Sequence, residues 1–172
     1  MVEENARRKA LAVASRHARE FGSSPAAPSP RPDAELPKES PSGRFLVLGA
    51  DTVVAVDGDV LGKPGDEIEA RAYLERLAGR AHQVVGGIAL AEGGAIVASA
   101  VEVTEVRFRT LDAALLDHYV GTGEWRGRAG GYAIQGVGAV LVAGISGDYL
   151  NVVGLPLARL LDLWPGLLPP AG

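Results

Sequence analysis

Asp51 stands at the end of an apolar run, Arg44-Phe-Leu-Val-Leu-Gly-Ala50, and Thr52 follows it. Such a run reads as a buried strand, and ligands in open α/β sheets gather at the carboxyl ends of strands. A carboxylate in that place either caps a turn or does chemistry: it can contact Mg²⁺ or take a proton from water. Lys63 lies in Leu61-Gly-Lys-Pro64, where Gly62 and Pro64 constrain the backbone around one ammonium group. It is either a solvated loop lysine or a cation for phosphate. The stretch from Gly123 to Gly136 gathers glycines, two arginines, an acid, two aromatics and a glutamine. Arg126 and Arg128 offer forked donors suited to phosphate. Gln135 carries an amide that both donates and accepts at a base edge. Trp125 and Tyr132 either stack on a ligand or pack, and a structural glycine-rich turn is the competing reading of the whole stretch. In Gly147-Asp-Tyr-Leu-Asn-Val-Val-Gly-Leu-Pro156, Asp148 and Asn151 read as caps of a closing helix.

The elements that position these residues alternate between strand and helix. Residues 3–21 carry Leu11, Ala14, Ala18 and Phe21 on one helical face, with Gly22 as a stop. Residues 22–43 hold six prolines among serines, glycines and charges and read as a linker or mobile loop. Ordered structure resumes at 44 and continues to 172. Val53 to Leu61 reads as a hairpin around Asp57-Gly58, and Asp66 to Leu77 as a helix with Asp66 at its N-cap and Gly79 as its stop. His82–Leu90 and Ala95–Arg109 read as strands, the second with a bulge near Thr104 where the apolar phase changes. A helix is predicted over Leu111–Val120, a loop over Gly121–Gly131, a strand over Ala139–Ile145 and a closing helix over Leu155–Leu163, with Pro156 in its first turn. The expected fold is a mixed-sheet α/β domain, single overall.

Composition narrows the chemistry. The 172 residues suit one domain with a real core. A net charge of -4 argues against a broad nucleic-acid surface and leaves room for a small basic pocket. With no cysteine there are neither disulfides nor thiolate metal sites. His17, His82 and His118 are too dispersed for a metal-ligand pair. The first residues, Met1-Val2-Glu3-Glu4-Asn5, lack a signal-peptide core, and the longest apolar run, Val137 to Ile145, is too short to span a bilayer. A cytoplasmic protein is expected.

Taken in order, several stretches resemble the Maf family of nucleoside triphosphate pyrophosphatases. They are Gly49-Ala-Asp-Thr-Val-Val54, Leu61-Gly-Lys-Pro64, Glu102-Val-Thr-Glu-Val-Arg-Phe108, Thr122-Gly-Glu124, Ala129-Gly-Gly-Tyr-Ala-Ile-Gln-Gly136 and Ile145-Ser-Gly-Asp-Tyr-Leu-Asn-Val-Val-Gly-Leu-Pro156. The resemblance covers residues 44–163 almost without gaps, and residues 3–19 look like the helix that precedes the Ala-Asp-Thr strand. It implies a two-lobed fold, similar to inosine triphosphatases, around a central cleft, often as a homodimer. It implies hydrolysis of a triphosphate to the monophosphate and pyrophosphate with Mg²⁺ or Mn²⁺. Asp51 would be the base that activates water and a metal contact. Lys63 and Arg128 would hold the triphosphate, Arg128 keeping the charge where many members have lysine. Thr52 and Gln135 match positions linked to base choice, and their motifs look like the subfamily acting on dTTP and UTP.

The family's opening strand and Ser-x-Ser-Pro-Arg-Arg loop find no match, so the expected architecture is N-terminally truncated. The Pro-rich stretch also replaces a short connection. Two readings follow: a pyrophosphatase whose start lies further upstream, or a weak or inactive protein that binds nucleotides or a partner. A house-cleaning enzyme for inosine-type nucleotides fits Gln135 and the Ala-Asp-Thr motif less well.

Overall fold

A computed structural model describes residues 1–21, with side chains to residue 12, and residues 46–168. The Pro-rich stretch 22–43, the start of the apolar run at Arg44, the stop at Gly22 and the side chains of Ala14, Ala18 and Phe21 lie outside the described residues. The helices are α1 (Val2–Phe21), α2 (Glu67–Leu77), α3 (Ala113–Thr122), α4 (Tyr149–Val153) and α5 (Leu157–Leu163). The strands are β1 (Leu46–Val56), β2 (Asp59–Leu61), β3 (Ala81–Glu92), β4 (Ala95–Phe108) and β5 (Val142–Ser146), in one sheet of order β2-β1-β3-β4-β5. The α/β class expected from the alternation is observed. β1 pairs antiparallel with β2, and β4 antiparallel with β5.

The hairpin at Asp57-Gly58 forms as its residues require. Both take positive φ, 53° and 84°, which matches the twist of the flanking strands. Val56 then faces Asp59 and Val54 faces Leu61.

The chain divides into two compact units. The first comprises Met1–Asp51, Gly86–Glu102 and Leu155–Gly172. Here α1 buries Val2, Ala6 and Ala10, successive turns of one face, and Ala6 and Ala10 pack with Ala89 and Ala91. The backbones approach at two glycines. A Cβ on Gly49 would strike the Ala6 carbonyl and lie 2.9 Å from Ala10 Cβ, and one on Gly87 would lie 2.9 Å from Val2 C and Glu3 N. Leu11, the one residue of the expected face whose side chain is described, is half-buried. Ser99 of β4 ties the helix down, accepting from Arg7 Nη2 (2.8 Å) and donating to Glu3 Oε1 (2.7 Å). A second cluster in this unit buries Ile88, Leu90 and Leu160, with Trp164 half-buried beside them.

The second unit comprises Thr52–Val85 and Val103–Gly154. Its core joins Val54, Leu74, Leu77, Val84, Phe108, Tyr119 and Leu141. α2 opens as predicted: Asp66 Oδ1 accepts from Glu69 N at 2.8 Å, and Gly79 has φ 68° just past its end. Glu69 reaches back one residue beyond the usual capping box, to Gly65 N at 2.7 Å. α3 is capped by Asp112, whose Oδ1 accepts from Leu115 N at 2.8 Å.

Several local expectations are corrected. α3 continues to Thr122, into the expected loop. Residues expected at the start of the last strand form a 3₁₀ turn, Gly136–Leu141, and β5 begins only at Val142. The closing helix forms as α5, with Pro156 as its N-cap rather than in its first turn, and a short helix that was not expected, α4, precedes it and ends at Gly154 (φ 131°). No bulge near Thr104 is needed to place the apolar residues: Thr104, Val106 and Phe108 are buried on one parity while Val103 is exposed. The irregular pairing with β5 falls between Arg107 and Phe108.

Candidate functional site

Asp51 lies on β1, at the end of the first segment of the first unit. Two residues one turn apart on α1 face it. Asn5 Nδ2 donates to Asp51 Oδ2 at 3.0 Å, and Lys9 forms an ion pair with Asp51 Oδ1. Lys9 Nζ also donates to the Ala50 carbonyl at 2.9 Å. The Asp51 side chain keeps 18% of its exposure. Asn5 and Lys9 were not singled out as site residues. Their signal was the i, i+4 spacing of an amide and an amine on one helix face, which exposed helices commonly carry for other reasons.

Thr52, Lys63, Arg128 and Gln135 belong to the second unit, and Thr52 is the residue after Asp51 on the same strand. Lys63 is exposed between β2 and α2, and Pro64 beside it is buried. The loop bearing Lys63 is bonded to the loop bearing Arg128: Gly130 N donates to the Gly62 carbonyl at 2.9 Å. Gly130 has φ 68°, and a Cβ there would sit 2.9–3.1 Å from the Val54 side chain, so only glycine fits. Two exposed cations are thus carried on joined loops. Gln135 is exposed at the mouth of the 3₁₀ turn Gly136–Leu141, with extended backbone.

The rest of this stretch is structural. Arg126 lies over the Trp125 ring at 4.6 Å and reaches Glu67 Oε1 at 3.3 Å. Trp125 is buried and donates Nε1 to the Val120 carbonyl. Tyr132 packs edge-on against Phe108 and His82, and its hydroxyl meets His82 Nε2 at 2.8 Å. Burial in this aromatic cage pushes the His82 pKa down to about 4 and raises that of Tyr132.

Glu124 has a larger part than its place in a charged loop suggested. Its two carboxylate oxygens accept from Val137 N and Gly138 N, each at 3.0 Å. Those two N–H donors, Val137 first, hold its pKa below the usual glutamate value, and the charge of Arg128 adds to the effect. Asn151 is corrected outright. It is fully buried within α4 and donates Nδ2 to the Val84 carbonyl and to Thr104 Oγ1, both at 3.1 Å. It pins α4 to the sheet. Asp148 does cap, accepting from Leu150 N at 2.7 Å, but for α4.

Chemically, one unit offers a carboxylate with a cation beside it, and the other offers two cations and an amide. Among the described residues no three His, Cys, Asp or Glu cluster as a metal cage. Mg²⁺ commonly takes one or two carboxylates and completes its shell with water and substrate phosphate. A single partly open carboxylate such as Asp51 fits that donor set.

A family model described as Maf-like protein matches residues 1–165. A dTTP/UTP pyrophosphatase of Symbiobacterium thermophilum is 54% identical over 118 residues, 69% of this chain and 60% of the relative. One of Pyrococcus furiosus is 49% identical over 117 residues, 68% of this chain and 61% of the relative. One of Bartonella quintana is 50% identical over 121 residues, 70% of this chain and 53% of the relative. The chain spans less than two thirds of the length of these curated relatives.

Proposed function

This chain belongs to the Maf family, and from that premise we propose that it acts as a nucleoside triphosphate pyrophosphatase on dTTP and UTP. The reaction is attack of water on the α-phosphorus. The bond from that phosphorus to the oxygen bridging toward the β-phosphorus breaks, and pyrophosphate leaves. Asp51 takes the proton from the attacking water. Lys63 and Arg128 offset the triphosphate's charge, which general electrostatics requires of a chain that is itself net negative. Lys9, paired with Asp51, fixes the carboxylate and supplies a further cation. Gln135 and Thr52 read the base, the amide of Gln135 meeting the base edge. A divalent cation, Mg²⁺ or Mn²⁺, held by Asp51 and the phosphates, would neutralise charge and acidify water when bound.

The observation that carries this reading is the hydrogen bond from Gly130 N to the Gly62 carbonyl. It joins the two cationic loops, as a polyphosphate ligand needs, and the relatives' names supply the nucleotide. We place the protein in the cytoplasm, as a homodimer without a nucleic-acid partner. No described helix is long and apolar enough to cross a membrane, and the negative net charge disfavours nucleic acid.

The test is pyrophosphate release from dTTP, UTP, dCTP and ITP by the purified chain with Mg²⁺. Turnover of dTTP and UTP is expected, with Asp51→Asn lowering kcat by about 10²-fold or more. Absence of turnover on every nucleotide overturns the proposed activity. Near wild-type turnover by Asp51→Asn overturns the assignment of the base alone.

A further inference from the structure

Gln135 is exposed, yet the backbone on both sides of it is held. Two residues before it, Ala133 N donates to the Tyr119 hydroxyl at 3.1 Å. Two and three residues after it, Val137 N and Gly138 N donate to the Glu124 carboxylate. The two anchors are themselves connected. Thr122 Oγ1 donates to the Tyr119 carbonyl at 2.6 Å and accepts from Glu124 N at 3.2 Å. Gly123 between them is left-handed, φ 73°.

The segment leaves no slack. Gly136, φ 73°, would place a Cβ 2.5 Å from Glu124 Oε1, and a Cβ on Gly138 would strike the Ala133 carbonyl. Tyr119 is fully buried, so its end of the frame is fixed by the core.

The buried Gly138 N–H needs an acceptor in any case, but the same bonds also fix where the chain presents the Gln135 amide. Uracil and thymine offer an acceptor at position 4 and a donor at N3; cytosine offers the reverse. A carboxamide rotated by half a turn reads the other base equally well, since its oxygen and nitrogen exchange places. The sense of that rotation must be set by a neighbouring group, which can act only on an amide whose place is held, and the backbone sets that place.

We propose that Glu124 and Tyr119 are positioning residues for base choice, holding Gln135 so that its amide accepts the uracil or thymine edge and rejects cytosine. This rests on the pyrophosphatase reading above.

The experiment compares kcat/KM for UTP and CTP in the purified chain and in Glu124→Gln, Tyr119→Phe and Gln135→Ala, singly and in pairs with Gln135→Ala. The glutamine at 124 keeps one acceptor and turns a donor toward the other N–H; the phenylalanine at 119 removes only the hydroxyl. Each single variant is expected to lower the UTP/CTP ratio about tenfold, chiefly through KM for UTP. In the Gln135→Ala background neither adds a further loss, because the residue they position is gone. A ratio unmoved in folded variants, a wild-type ratio near one, or equal losses with and without Gln135 overturns the proposal. Circular dichroism establishes folding, and Tyr119→Phe carries the test if Glu124→Gln does not fold. Wild-type turnover with an unmoved ratio sinks only this frame, whereas no turnover on either nucleotide sinks the pyrophosphatase reading itself.

Discussion

Lys9 and Asn5 show how a site residue acquires meaning from its neighbours. Asp51 alone is a carboxylate at a strand position. With Lys9 ion-paired to Oδ1 and Asn5 donating to Oδ2, its orientation is fixed and a cation stands beside it. The Lys9 side chain is 55% exposed, and an ion pair that open to water contributes at most about 1 kcal/mol to folding. The same charge beside a reacting phosphate is worth more, because it acts where charge develops. Lys9→Met is therefore expected to lower kcat/KM for dTTP at least about tenfold while shifting stability by no more than about 1 kcal/mol. Steady-state kinetics with urea denaturation checks both. A stability loss with unchanged kinetics would make the pair a structural one. Lys63 stands out in the sequence because a cation between Gly62 and Pro64 is a short-range pattern, and Arg128 because it lies in a glycine-rich stretch; their phosphate role is the proposal above. Asn5, Lys9 and Glu124 were not, because their partners lie more than ten residues away in sequence.

At the scale of elements, α1 reaches Asp51 only because two glycines let it lie against the strands. Gly49, two residues before Asp51, has no room for a methyl group against the Ala6 carbonyl and Ala10. Gly49→Ala is expected to destabilise the fold by about 1–3 kcal/mol, the usual cost of overpacking, and to reduce activity more than that loss explains by displacing Lys9. Thermal denaturation and pyrophosphate release on the same sample separate the two effects. The hairpin at Asp57-Gly58 and the Asp66 cap were legible, since each is decided by chemistry within four residues. The short α4 that precedes the closing helix was not. Gly154 ends it with φ 131°, and Asn151 turns inward to Val84 and Thr104, which lie 67 and 47 residues away. Nothing local distinguishes a buried, strand-bonded asparagine from a cap.

For the whole molecule, the clearest pH response comes from His82, which is 3% exposed between Phe108 and Tyr132. Its folded pKa is about 4, below the ordinary 6.5. Above pH 6.5 the imidazole is neutral in both states and has no effect. As pH falls from 6.5 to about 4, the unfolded chain takes up the proton and the folded one does not. Stability is thus lost across that window, by about 3 kcal/mol at its acid end. His82→Gln, which can still reach the Tyr132 hydroxyl, is expected to lose less stability than wild type between pH 7 and 4.5 in urea titrations. Equal losses would show that the histidine does not set the response. Most of the strands and helices, the Asp66 cap, the tight hairpin and the family followed from the sequence alone, because periodicity, turn chemistry and contiguous motifs are local properties of the chain. Only the tertiary structure decided which cation faces Asp51, which acid frames Gln135 and which polar side chains are buried. Those are matters of contact between residues far apart in sequence, where burial and geometry outweigh the preferences of any single residue type.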